Sequence, residues 1–120
     1  VWMTVSKFVE LKTKANDGAT KGNLGAIRSA VSIYYVNNQA VYPTDLAALK
    51  AERKYISHIE STVLREYHAD SFKLHQGSGT AAINDQGGWA YANVAEEQNF
   101  GRVWVNCVHT DAKNLSWTSY

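Results

Sequence analysis

The residues that could do chemistry are few, and their spacing decides what chemistry is open to them. Four histidines, His58, His68, His75 and His109, are the natural metal ligands. Their intervals match neither a helical His-Glu-x-x-His pair nor a Cys/His finger, so the sequence reads them as scattered surface or half-buried imidazoles. His109-Thr110-Asp111 could be joined with a serine into a hydrolytic triad, but no Gly-x-Ser-x-Gly elbow is present. Gly77-Ser78-Gly79-Thr80 lacks the Gly-Lys-Ser/Thr ending of a phosphate loop and reads as a turn. Cys107, the single cysteine, is open to three readings: a reactive thiol, an intermolecular bridge, or a small buried hydrophobe on a strand, the last being favoured. These motifs point to no enzyme.

Composition narrows the partners. The 120 residues carry 12 Lys+Arg against 11 Asp+Glu, a formal charge of +1, so no basic field is available to hold a phosphate backbone. Trp2, Trp89, Trp104 and Trp117 are not interleaved with basic residues as a nucleic-acid stacking platform requires; Arg102 alone stands beside Trp104. No nucleic acid is expected. A 45% hydrophobic share over this length fits one domain with a real core.

The elements that must position these residues change character at Tyr42-Pro43, and the chain divides into a long helix over 1–40, a helix and loop region over 41–80, and antiparallel strands with a tail over 81–120. Leu24, Ile27, Val31, Tyr34 and Tyr35 fall within one helical stripe, which predicts the face laid on the core. Phe8, Leu11, Ala15, Ala19, Gly22, Ala26 and Ile33 form an opposite row, mostly small after Leu11, which suits close approach of another helix. Gly18, Gly22 and Gly25 leave two outcomes: a continuous helix, which is favoured, or a break at Asn16-Asp17-Gly18. A continuous helix over 3–38 would be about 54 Å long. It would overhang a domain roughly 35 Å across, and turns carrying Phe8 and Leu11 would need cover from a membrane or neighbouring subunits.

After Pro43, Thr44 is expected to cap a short helix carrying Leu46, Ala47 and Leu49. Residues 57–76 show neither helical nor strand period and read as loop with at most a turn of helix or a short strand. Ala81–Asn84 and Trp89–Asn93 flank Asp85-Gln86-Gly87-Gly88 as a hairpin, and 102–107 alternates as the next strand. Trp89, Val103 and Val105 should face the helix. The expected fold is α+β, a long N-terminal α-helix packed against a small antiparallel β-sheet.

The run from Gly18 to Tyr35, then Tyr42-Pro43 and 46–49, resembles type IV pilins and equally the major pseudopilins of type II secretion systems. Gly87-Gly88-Trp89-Ala90-Tyr91 followed by 101–106 is similar to the pseudopilin pattern of a Gly-Gly-Trp-x-Tyr strand, a loop and a second strand. The resemblance implies a structural subunit that polymerises into a filament through its helix, with Phe8, Leu11, Ala15, Ala26 and Ile33 at the filament interface. It implies partners of the same kind (further copies, other pilins or pseudopilins) and an inner-membrane anchor in a segment preceding Val1-Trp2-Met3-Thr4. The setting would be the bacterial cell envelope, periplasmic or extracellular. Some major pseudopilins bind calcium in a C-terminal loop, for which Asp85, Asp111 and nearby carbonyls are the candidate oxygens here; no other cofactor is expected. The alternative is a monomeric adhesin or ligand-binding module on the same scaffold, with an aromatic pocket near Trp89, Trp104 and Trp117.

Overall fold

The computed structural model describes residues 3–53, 55–56, 59–64, 68–111 and 113–120, with the backbone alone for 3–13 and 51–53. Helix α1 runs without interruption from Met3 to Asn37, through Asn16-Asp17-Gly18. At 1.5 Å per residue it is about 52 Å long, nearly the whole 58 Å length of the molecule. Its described buried side chains, Thr20, Leu24, Ile27, Ala30 and Val31, repeat at helical spacing along one face. The helix ends six residues before Pro43, where Gln39 (φ 60°) and Ala40 (φ 63°) turn left-handed and the Ala40 N–H bonds back to the Tyr35 carbonyl.

The segment Leu46–Arg53 forms as 3-10 helix, and its cap is Asp45 rather than Thr44. Asp45 Oδ1 accepts the Ala47 N–H at 2.9 Å and also holds the Gln76 amide, whose own oxygen accepts the Leu46 N–H at 2.8 Å. Its place directly before Leu46 and a second anchoring side chain, Gln76, favour Asp45 over the neighbouring hydroxyl.

Three short strands make the sheet: β1 Leu74–Gly77, β2 Trp89–Ala92 and β3 Val103–Val105, in the order β1-β2-β3. Strands β2 and β3 pair antiparallel, with Trp89 opposite Val105 and Tyr91 opposite Val103. β1 pairs parallel to β2, Leu74 opposite Trp89 and Gly77 opposite Ala92, so the sheet is mixed and not wholly antiparallel. The expected hairpin partner, Ala81–Asn84, is a 3-10 turn (Gly79–Ala82) leading into a loop.

The reason lies in the amides. Those of Asn84 and Asp85 are taken by the Asn106 side chain, and Gly88 sits at φ 73°, where a Cβ would lie 2.5 Å from the Lys73 carbonyl oxygen. The chain therefore meets β2 from the side of β1, with the Trp89 N–H on the Lys73 carbonyl.

β2 is covered on both faces. Trp89 and Tyr91 join Leu24, Ile27, Val31, Leu46, Leu49, Val103, Val105 and Trp117 in the core under α1. Ala90 and Ala92 point the other way, against Ala82 and Trp104. Polar groups close the edges. Tyr91 OH donates to the Pro43 carbonyl, Trp89 Nε1 to the Glu60 carbonyl, and Thr20 Oγ1 exchanges hydrogen bonds with both backbone groups of Val63. Arg28 reaches from the helix to the carbonyls of Val103 and Tyr120.

Candidate functional site

Two places on this frame are candidates for function: the outer face of α1 and a cluster of metal-ligating side chains at one end of the sheet.

On the helix, Ala15, Ala19, Gly22, Ala26 and Ile33 are exposed on the face turned away from the core, Ile33 at 50%. Among the described residues, a Cβ added at Gly18, Gly22 or Gly25 would meet nothing within 4 Å. The side chains of Phe8 and Leu11 lie outside the described residues. On the opposite face Leu24, Ile27 and Val31 are buried against Trp89, Val103 and Val105. Tyr34 is half-buried beside that core, its ring 5.2 Å from Tyr55. Tyr35 instead lies on Tyr42, with ring centres 4.5 Å apart. The three described tryptophans do not line a common pocket: Trp89 and Trp117 are buried in the main core and Trp104 in the smaller cluster behind the sheet. Among the described residues, no helix is long and apolar enough to cross a membrane.

The second place brings together residues that sequence spacing did not connect. His68, Asp85, Cys107 and His109 each offer a ligand atom, and those atoms all lie within 4.8 Å of one another. Asp85 Oδ1 stands 3.1 Å from His68 Nε2 and 3.3 Å from His109 Nδ1, while Cys107 Sγ is 3.4 Å from the same His109 nitrogen. The two imidazoles meet edge to face with centres 5.5 Å apart. Side-chain exposures of 14% for His68, 34% for Asp85 and 39% for His109 leave the group open on one side, with Cys107 buried at its floor.

The four members are positioned by three separate stretches of backbone. Cys107 and His109 follow β3 directly. Asp85 sits left-handed at φ 59°, a conformation that Asp tolerates, in the loop 84–88. That loop is fastened by one buried side chain. Asn106 Oδ1 accepts the N–H groups of Asn84 and Asp85, and Asn106 Nδ2 donates to Asn84 Oδ1 and to the Gly87 carbonyl. Gly87 also gives His68 its space, since a Cβ there would come within 3.1 Å of the His68 Cβ.

Electrostatics and geometry both argue against a catalytic relay. The Val108 N–H, ahead of the two imidazoles, holds the Asp85 carboxyl below the usual carboxylate range despite partial burial. Burial pushes the Cys107 thiol up, so it is no ready nucleophile. A Cys-His-Asp relay also needs the thiol and the carboxylate on opposite ring nitrogens, and here both converge on His109 Nδ1. Nor is the group a calcium cage. Asp85 stands among nitrogen and sulfur donors, while Asp111 is occupied elsewhere by Lys21, Tyr120 and the N–H groups of Lys113 and Leu115. His75 is outside the cluster, bonded through Nδ1 to the Asn84 amide. His58 lies outside the described residues. The signal that could have found the cluster is Cys107-x-His109 directly after a strand, a pair that places two ligands on one turn of backbone.

Comparison with protein-family models, curated proteins and solved structures finds no match to this chain.

Proposed function

We propose that this chain is a structural, non-catalytic subunit of a type IV pilin-like filament in the bacterial cell envelope, most like the major pseudopilin of a type II secretion system. It assembles through α1, whose Phe8, Leu11, Ala15, Ala26 and Ile33 contact neighbouring copies or related subunits.

One observation carries this reading. An unbroken helix almost as long as the molecule presents a row of exposed Ala and Gly on which none of the described residues packs. Small side chains there let a second helix approach to backbone contact, and the order of motifs along the chain is that of the pilin resemblance. Burying such a row gains dispersion contacts along several turns at almost no cost in side-chain entropy, because Ala and Gly have none to lose.

Negative-stain microscopy of the full-length native protein, with and without Ala26→Trp, tests it. The reading expects filaments from the parent and their loss in the variant. It expects the isolated variant domain to keep its thermal midpoint, because Ala26 touches none of its own core. Absence of filaments from the parent under every condition would overturn the proposal.

A further inference from the structure

We propose that His68, Asp85, Cys107 and His109 bind one divalent zinc-class cation in a four-coordinate structural site. The inference is independent of the filament reading.

Donor chemistry and distance both favour it. Two imidazole nitrogens, a thiolate sulfur and one carboxylate oxygen form the borderline-soft set that zinc takes, whereas calcium and magnesium take oxygen. Around zinc, with bonds of about 2.0 Å to nitrogen or oxygen and 2.3 Å to sulfur, tetrahedral corners stand roughly 3.3 to 3.6 Å apart. Of the six separations between these four ligand atoms, three, of 3.1, 3.3 and 3.4 Å, lie at or close to that edge length, and all six are within 4.8 Å. A cation at the centre would be reached by small shifts of side chains already aimed at one point.

The surroundings are those of a structural site. Four protein donors leave no position for a substrate. The ligands come from three separate stretches, around His68, around Asp85 and from Cys107 to His109, and none of these lies inside a strand or helix. A cation joining them would tie together three segments that no strand or helix connects. Asn106, which fastens the Asp85 loop, and the Val108 N–H, which bonds Asp85 Oδ1, are the outer groups that orient the carboxylate.

The test starts from purified protein stripped with a chelator and then titrated separately with Zn²⁺ and with Co²⁺. We expect one equivalent of either metal per chain, the intense visible bands of tetrahedral cobalt together with a sulfur-to-cobalt charge-transfer band, and a higher thermal midpoint with zinc. Cys107→Ala and His109→Gln should each weaken zinc binding by about 100-fold or more, since loss of an outer-shell partner alone costs ~10- to 100-fold. His75→Gln should bind as the parent does. Cys107 is buried, so its variant could fail to fold; His109→Gln, at a half-exposed position, and the cobalt spectrum of the parent then decide. Substoichiometric uptake, a cobalt spectrum without the sulfur band, or parent-like affinity in His109→Gln would overturn the proposal.

Discussion

Lys21 Nζ lies 2.9 Å from Asp111 Oδ2, and the Asp111 side chain has no exposed surface. The same ammonium sits 4.4 Å from the centre of the Tyr120 ring, and Tyr120 OH donates to the same carboxylate oxygen. Asp111 Oδ1 caps the following turn through the N–H groups of Lys113 and Leu115. One carboxylate thus joins helix α1 to the C-terminal turn.

This arrangement predicts acid sensitivity. Burial alone would raise the Asp111 pKa, but the hydrogen bonds from Tyr120, Lys21, Leu115 and Lys113 outweigh it and hold the group well below the carboxylate range. A carboxyl whose folded pKa lies below its unfolded value stabilises the fold fully above the unfolded value of about 3.9, and that contribution is lost as pH falls through the folded value. Asp111→Asn should therefore lower stability at pH 7 by about 2 to 3 kcal/mol and flatten the loss of stability between about pH 5 and pH 2. Denaturant unfolding across that range checks both. Equal acid slopes in parent and variant would remove Asp111 from the account.

Asn106 makes a second prediction. Asn106→Ala deletes an acceptor used by two loop amides and a donor used by Asn84 and Gly87, leaving buried groups unpaired. A loss of about 3 kcal/mol is expected. Urea midpoints at unchanged m-value measure it; a loss under 1 kcal/mol would mean that the loop is held by something else.

The glycines should divide sharply. Gly88→Ala places a methyl 2.5 Å from the Lys73 carbonyl oxygen at a positive φ, and should cost about 2 kcal/mol or more. Gly22→Ala meets open space in the middle of α1 and should stabilise the isolated domain by up to about 1 kcal/mol. Thermal melts of the two variants side by side give the signs. Under the filament reading, Gly22→Ala also thickens the assembly face, so its filaments should be fewer although its fold is firmer.

Thr20 offers a fourth test. Its hydroxyl donates to the Val63 carbonyl and accepts the Val63 N–H from a fully buried position on the helix. Thr20→Val keeps the shape and strands both backbone groups. We expect about 2 kcal/mol of destabilisation, read by chemical denaturation. A neutral substitution would show that water reaches Val63.

Local chemistry was legible where one element determined it. The helical stripe of Leu24, Ile27 and Val31 and the inward positions of Trp89, Val103 and Val105 follow from period and side-chain size, and the structure buries all six. The parallel partner of β2 was not legible. Leu74-His75-Gln76-Gly77 has no alternation, and it pairs only because Gly88 lets the chain pass Lys73 closely. The cluster around Asp85 was hidden for a related reason. His68 and Cys107 come together through a loop fastened by Asn106, and no spacing along the chain encodes a contact made by a third residue. Residue type points to Thr44 as the cap, whereas Asp45 holds the position because Gln76, distant in sequence, braces it.

The bare glycine row has a further consequence, for how quickly the helix trades its amide protons with solvent. Among the described residues, nothing lies within 4 Å of where a Cβ would stand at Gly18, Gly22 or Gly25. The amides on that side should take up deuterium sooner than those of β2, which is sealed on both faces. Any protein laid against the row would slow that uptake locally, so the exchange pattern along 15–29 would report contact by a neighbour even before an ordered assembly can be imaged.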